Sequence, residues 1–494
     1  MPRFPFHVIY NQDCTNLFAI TKEPLEPRHV IQMVDEVVDG GADVMLINPN
    51  AQRVNYPSKV WQTFWDGYEP GTREFFGPVP AEELPGREAW VRQMQRLALQ
   101  GCDYLAEALG RCRARGIHPG VSIRMNDMHD VPWLGSHLFS EFYLNNPQLR
   151  LDNPPVCGWA ATGLDYRHPA VHAHYLALIR ELVAGYDFEV LELDFLRFGS
   201  YFPREHFAEH CTIMTGFLRE VRAVLAGASR PIALIPRIAT TPTAAYELGF
   251  DPASWAREGL IDGLTMGAML NSSWQMPIDA YRALVGADIP LYPCTDLSAD
   301  RRDGLPLRPL VLDEPLLRGF AAGYLAAGAD GIALFNFFCS REEGWGQSRD
   351  PYFHMLKEMH SLSVLRGQPK RYVLTSGVTA VEIDGPMQVP VPVPTHAVRA
   401  FYLWLAAEPA AIPVTVEVVV TATDPLSKEN FWLSLNDTPL GSADSLHTES
   451  IEKQPTQTIT FTAPASVVRD GRNSLTFRNE GAPVSVLGID VCCG

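Results

Sequence analysis

Apolar residues recur along this chain with two periods, and the order in which the periods alternate predicts the architecture. Between residues 188 and 197, FEVLELDFLR puts Val190, Glu192, Asp194 and Leu196 in one alternating set and Leu191, Leu193 and Phe195 in the other, because successive side chains of a strand point to opposite faces. Just upstream, Val171, Tyr175, Leu178, Ile179 and Leu182 recur every three or four residues, the spacing of one apolar helix face. Strand-like runs at 6–13, 42–50, 117–127, 188–197, 231–240, 261–270, 289–297 and 331–338 alternate with such helical patterns. Several helical runs stop at a glycine and lead within a few residues into the next strand. Eight repeats predict an α/β chain with a closed (β/α)8 barrel over residues 1–368, the economical way to close a parallel sheet. The competing arrangement is an open, doubly wound sheet. Against it, the first strand leads into no GxGxxG turn and the sequence holds no Walker pattern, so nucleotide binding has little support.

Near residue 369 helical periodicity is lost. Runs such as VTVEVVVTAT, NFWLSLNDTPL and NSLTFRNEG are short, alternating and separated by Pro, Gly, Asp and Asn turns, which predicts a C-terminal all-β sandwich over 369–494. The Pro-rich piece at 385–396 reads as an edge or crossover loop within it.

With 46% hydrophobic and 20% charged residues the chain is globular, and its formal charge of -17 comes with no Lys/Arg run, so no nucleic-acid partner is expected. The amino terminus shows no charged segment followed by a long apolar core; neither signal peptide nor membrane span is expected, and a cytoplasmic location follows. The nine cysteines are scattered and lack paired metal spacing, favouring reduced thiols and no metal or other cofactor.

In a (β/α)8 barrel catalytic groups gather at the carboxyl ends of the strands, and here those ends are polar. They offer Asn11 and Asp13 after strand one, Asn48 and Asn50 after strand two, and Arg124, Asn126, Asp127 and His129 after strand three. Strand four contributes Glu192, Asp194 and Arg197, strand five Arg237, strand seven Asp296 and strand eight Asn336, followed by Glu342, Glu343 and Trp345. The loop after strand two carries Tyr56, Trp61, Phe64, Trp65 and Tyr68, and aromatic faces suit the apolar faces of sugar rings. These residues together suggest a carbohydrate pocket. Glu192, one layer deeper than Asp194, reads first as a structural partner of an interior Arg, since a buried charge must be paired. Arg124 and Arg237 are either such partners or a clamp on substrate oxygens. His129 lies near Asp127 and Asp130 but fits no standard zinc spacing, so it reads as a hydrogen-bonding loop residue.

The stretch around strand four resembles the glycosyl-hydrolase-like barrels related to family 10 glycoside hydrolases. The similar elements are a D-x-x-x-P (Asp165 to Pro169), a helix, Tyr186-Asp187, and a strand ending in Asp194 followed by Phe202-Pro203. Such barrels commonly carry two consecutive acids at that strand end; here the second position is Phe195, and Glu192 stands where a His is frequent. The resemblance implies a glycoside hydrolase acting on an oligosaccharide, with paired carboxylates flanking the scissile bond. Asp194 and, across the mouth, Asp296 are the expected pair, with Glu342 and Glu343 in reserve, all opening onto one pocket. Asn11, Asp13, Asn48, Arg124, Asn126, Asp127, His129, Glu192, Arg197, Arg237, Asn336 and Glu342 are the expected substrate-binding residues. Three arginines around one mouth point to an anionic sugar such as a uronate or sulfated unit. The rival expectations are a non-hydrolytic carbohydrate-binding protein and a uronate lyase or epimerase, in which an Arg neutralises the substrate carboxylate while a base removes the adjacent proton.

Overall fold

The computed structural model describes residues 5–152, 162–296, 298–299, 307, 310–342, 350–375, 388–451 and 454–494. Glu343, Trp345 and Cys157 lie outside the described residues. Each of the eight strand-like runs contains one strand: β1 Val8–Gln12, β2 Val44–Ile47, β3 His118–Arg124, β4 Val190–Asp194, β5 Ala233–Ile238, β6 Leu264–Met266, β7 Leu291–Thr295 and β8 Ile332–Leu334. They close in the order β1-β8-β7-β6-β5-β4-β3-β2, and all neighbours are parallel. The fold is a (β/α)8 barrel.

The alternation read from β4 decides what faces where. Val190 packs inside the barrel with Ile9, Val44, Leu46, Ile235 and Tyr292, whereas Leu191, Leu193 and Phe195 join the core beneath the surrounding helices. That phase sends Glu192 and Asp194 inward above an apolar plug. The helix Pro169–Gly185 starts with proline at its first position, where the missing N–H costs nothing. The helix Glu314–Ala326 is capped by Asp313, whose side chain accepts from Leu316 N. Among the described residues no helix is long and apolar enough to cross a membrane.

After the last barrel helix, Leu362–Leu365, the described residues of the chain form strands and loops with two single 3-10 turns, Lys428–Asn430 and Ala465–Val467. Its strands are β9 Lys370–Leu374, β10 Val391–Val393, β11 Ala397–Leu405, β12 Val414–Thr421, β13 Phe431–Leu435, β14 Thr438–Ser442, β15 Ser445–Ile451, β16 Gln454–Ala463, β17 Gly471–Asn479 and β18 Val484–Cys493. One sheet runs β9-β18-β12-β16-β15, with β10 also paired to β18; the other runs β11-β17-β13-β14. Their inward residues, including Phe401, Phe431 and Phe477 from one sheet and Val416, Val418 and Phe461 from the other, form the core of a sandwich. The Pro-rich piece supplies β10 at an edge, as its prolines require.

The sandwich sits on the helix Glu314–Ala326, and glycine permits the close approach. A Cβ added at Gly323 would lie 2.6 Å from the Trp404 backbone oxygen, and one at Gly319 would collide with the Arg371 carbonyl. Trp404 also donates its indole N–H to Met276 O at 2.9 Å. Gly319→Ala should therefore lower stability by about 1–2 kcal/mol net, because overpacking against backbone outweighs the helix propensity that alanine adds. Chemical denaturation checks this; a stabilised variant would mean the two layers are not locked at this seam.

Candidate active site

The floor of the carboxyl mouth is a layer of buried charge. Asp194, at the end of β4, is fully buried, and its Oδ1 accepts from Arg237 Nη1 at 2.9 Å and from the backbone N–H groups of Leu196 and Arg197. Arg237, in register beside it on β5, also donates to Ala268 O and lies over the Phe335 ring, 3.9 Å from its centroid. Asp194 Oδ2 is buried without a hydrogen-bond partner. Asp296, after β7, accepts from both Asn336 Nδ2 and Leu270 N and is 2% exposed.

One layer deeper, Glu192 was expected to pair with an interior Arg. Its Oε1 instead accepts from Asn11 Nδ2 and Ser122 Oγ, each at 2.8 Å, while the nearest strand's Arg237 is bound to Asp194. Burial, and then the Asp194 charge, push the Glu192 carboxyl up to about 7. The physical reason is that a neutral acid needs no counter-ion, so two neutral hydrogen-bonding partners suffice.

Above this floor lies a cavity of about 260 Å³ lined by Asp13, Arg124, His129, Arg197, Asn336 and Glu342 together with Phe64, Trp90 and Phe338. A larger groove of about 380 Å³ lies between the helix Phe207–Ala226 and the start of β5. Its arginines are already committed, Arg222 to Leu260 O and Arg230 to Phe188 O. The mouth cavity lies at the carboxyl ends of the strands, where the chemistry of this architecture gathers. Neither Asp194 nor Asp296 is among its lining residues.

Asp13 follows β1 directly. Its Oδ2 accepts from Thr15 N, Thr15 Oγ1 and Asn16 N, and its Oδ1 from Arg124 Nη2. Burial alone would raise its carboxyl; Arg124, Arg197 and the Thr15 bonds prevail and hold it at about 2. Glu342 closes the short helix after β8, and its Oε1 accepts from Asn16 Nδ2 at 2.6 Å. Burial raises its pKa, the Asn16 bond offsets part of that, and the Asp13 charge raises it further. Two carboxylates joined through Asn16 thus stand in opposite environments, one kept ionised and one biased to its protonated form.

The arginines are not equivalent. Arg124 is bound to Asp13 and Asp127, and Arg87 to Asp130 and Glu83. Arg197 has no ion pair among the described residues; its Nη2 lies 2.9 Å from His129 Nε2, and its Nε and Nη1 are buried without a partner. His129 Nδ1 lies 2.7 Å from Asp127 Oδ1, so Asp127 fixes the ring with Nε2 free to accept from Arg197. Burial and then Arg124 lower the Arg197 pKa, against the raising effect of the Asp127, Asp13 and Asp194 charges.

Other expected residues are brackets. Asn48 donates to Ser122 O and Asn50 to Arg124 O, while Asn126 donates to Leu164 O and Ser200 O. The aromatics after β2 mostly pack as core over the helices: Tyr56, Trp61, Phe64 and Tyr68 are buried, and Trp61 stacks on His174 at 4.2 Å. Of those loop aromatics only Phe64 lines the cavity; the remaining ring on that side, Trp90, comes from the helix Leu84–Leu99. Trp90, Arg87 and Cys14 also line it; the first two sit in a helix pattern with no local mark of the mouth, and Cys14, beside Asp13, offers no polar side chain to single it out.

Glu192 gives a pH test. Its folded pKa of about 7 lies above the ordinary value of about 4.3, so its contribution is complete below the unfolded pKa and is lost as pH rises through the folded one. Glu192→Gln keeps the acceptor oxygen and removes the titration. Relative to wild type, the variant should gain on the order of 1–3 kcal/mol between pH 5 and pH 8. Parallel stability curves for the two proteins would show that Glu192 is not buried in this way.

No protein-family model matches the sequence, the family 10-like one included, and no curated protein matches it. Among solved structures, the PgaB (BpsB) glycoside hydrolase domain from Bordetella bronchiseptica aligns at TM-score 0.45 and 13% identity, covering 72% of this chain and 99% of that one. An alpha-amylase from Geobacillus thermoleovorans aligns at 0.38 and 13%, covering 96% and 99%. An alpha-galactosidase from Thermus thermophilus aligns at 0.38 and 15%, covering 76% and 64%. At this distance the likeness carries no argument about activity, which rests on the site itself.

Proposed function

We propose that this protein hydrolyses O-glycosidic bonds in an acidic oligosaccharide at the carboxyl mouth of its barrel. The observation that carries the reading is that Asp13 and Glu342 line one cavity and both bond Asn16, Asp13 being ion-paired to Arg124 while Glu342 accepts from the neutral Asn16 amide. Glycoside hydrolysis needs one carboxylic acid to protonate the leaving oxygen and one carboxylate to attack the anomeric carbon or activate water. Glu342, biased to its protonated form, serves as the acid. Asp13, ionised throughout the physiological range, serves as the carboxylate, with Arg124 and Thr15 fixing its orientation. The reacting groups must touch substrate, and these two line the cavity. In this reading Asp194 and Asp296, the pair expected from the sequence, are positioning residues that hold Arg237 and Asn336 in the floor.

The acidic substrate follows from Arg197. A buried guanidinium with two N–H-bearing nitrogens lacking a hydrogen-bond partner is stabilised by an oxyanion, and a sugar carboxylate or sulfate supplies one. A second arrangement has one observation in its favour: the unpartnered Oδ2 of Asp194, which would make Asp194 the attacking group if the floor opens to substrate.

Assay of defined acidic and neutral oligosaccharides tests the reading. Glu342→Gln should lower kcat/KM on an acidic substrate by roughly 10²–10⁴-fold, and much less on aryl glycosides whose leaving group needs no proton. Asp13→Asn should lose turnover on both. Loss confined to Asp194→Asn would transfer the role to Asp194, and an unsaturated ultraviolet-absorbing product would replace hydrolysis with elimination. The pH profile has a defined sign: because Glu342 works protonated, kcat/KM should fall as pH rises through a pKa above the ordinary glutamate value, while ionised Asp13 sustains activity down towards about 2.

A further inference from the structure

At the opposite, amino-terminal end of the barrel three residues remote in sequence meet. His7 immediately precedes β1, Asp43 immediately precedes β2, and His360 ends the short helix Phe353–His360 after the last barrel strand. One nitrogen from each imidazole and one carboxylate oxygen lie within 4.8 Å of one another. His7 Nδ1 is 3.2 Å from Asp43 Oδ2, and His360 Nε2 is 3.9 Å from Asp43 Oδ1. In a tetrahedral zinc site with bonds of about 2.0–2.2 Å, neighbouring ligand atoms stand about 3.3–3.5 Å apart. The separations of 3.2 and 3.9 Å to the Asp43 carboxylate bracket that spacing. We propose that His7, Asp43 and His360 bind one Zn²⁺ ion, with water completing the coordination.

The surroundings suit a ligand set better than a simple ion pair. Asp43 Oδ2 accepts from the backbone N–H groups of His7 at 2.6 Å and Val8 at 3.1 Å, so the carboxylate is oriented by its outer partners as metal-binding carboxylates are. The two imidazole rings lie 5.1 Å apart between centroids and 11° from parallel, so one ring must turn for both lone pairs to meet at one ion. Neutral rings are what ligation requires. His360 Nε2 lies 2.5 Å from Gly41 O and so carries a proton; on binding, that proton moves to Nδ1 of the same ring and the lone pair on Nε2 turns to the metal. The side chains are 52%, 25% and 33% exposed for His7, Asp43 and His360, which leaves solvent access for the ion and its water. Two imidazoles and a carboxylate favour Zn²⁺ over Mg²⁺ or Ca²⁺, which take all-oxygen sets.

The consequence is structural. The ion joins the start of the barrel chain to its end, fastening the first two strands to the helix that follows the eighth. Binding only to the folded form stabilises it.

Titration calorimetry of chelator-treated full-length protein with ZnCl₂ tests the site. The expected result is one ion bound stoichiometrically at micromolar protein, with a rise of a few degrees in Tm. His360→Gln should weaken binding at least tenfold and abolish the rise, and His7→Gln should do the same; Asp43 is left intact because it also holds backbone. Co²⁺ in place of Zn²⁺ should give visible d–d absorption without a thiolate charge-transfer band. No binding heat, binding unchanged in both variants, or a thiolate band pointing to Cys492 and Cys493 would overturn the assignment and leave a His–Asp ion pair only.

Discussion

Charge carried into the barrel has to be neutralised there, and that constraint orders everything above the apolar plug. Asp194 and Arg237 are both buried and in register on adjacent strands. Removing either would strand a charge where desolvation costs several kcal/mol. Glu192, just below them, takes the other course and is held towards its neutral form by burial and by its neighbour's charge. With the floor thus settled, the arginines at the mouth divide by what remains to pair them. Arg124 takes Asp13 and Asp127, and Arg197 is left with the His129 ring.

That imbalance gives the cavity its character. Its Asp13 is pinned as an anion by Arg124 and by local turn hydrogen bonds, while Glu342 enters from the far side of the barrel seam with burial and Asp13 both acting against its ionisation. Asn16 touches both carboxylates, so their separation is set by one short helical turn after β1. The deeper acids keep the strand ends in place; the shallower ones meet the solvent-facing space. Position along the barrel axis, more than residue type, sorts positioning groups from candidate reacting groups.

The two ends of the barrel are secured differently. At the mouth, charge pairs and amide brackets such as Asn48 and Asn126 tie loops to neighbouring strands. At the amino-terminal end, His7, Asp43 and His360 bring the beginning and end of the barrel chain together. On the flank, glycines of the helix Glu314–Ala326 admit the backbone of β9 and β11 to van der Waals distance, so the sandwich contacts the barrel through main chain that no side chain separates.

The sequence by itself determined the barrel, the sandwich and the inward phase of β4, because periods of 2 and 3.6 are local properties that burial of one face enforces. It also marked Asp13, Arg124, His129, Arg197, Asn336 and Glu342 as mouth residues, since strand ends in this architecture converge on one surface. Only the tertiary structure decided which of these share a cavity and which are sealed below it. Depth depends on barrel register, and pairing depends on partners far apart in sequence, as with Asn16 and Glu342 or Arg237 and Asp194. The aromatic loop after β2 shows the same limit: its composition suggested a sugar-facing rim, but Tyr56 and Trp61 are buried against the helix Pro169–Gly185 and its end, and Tyr68 against Phe75 and Phe76, because a long loop over a barrel must bury apolar surface to be ordered.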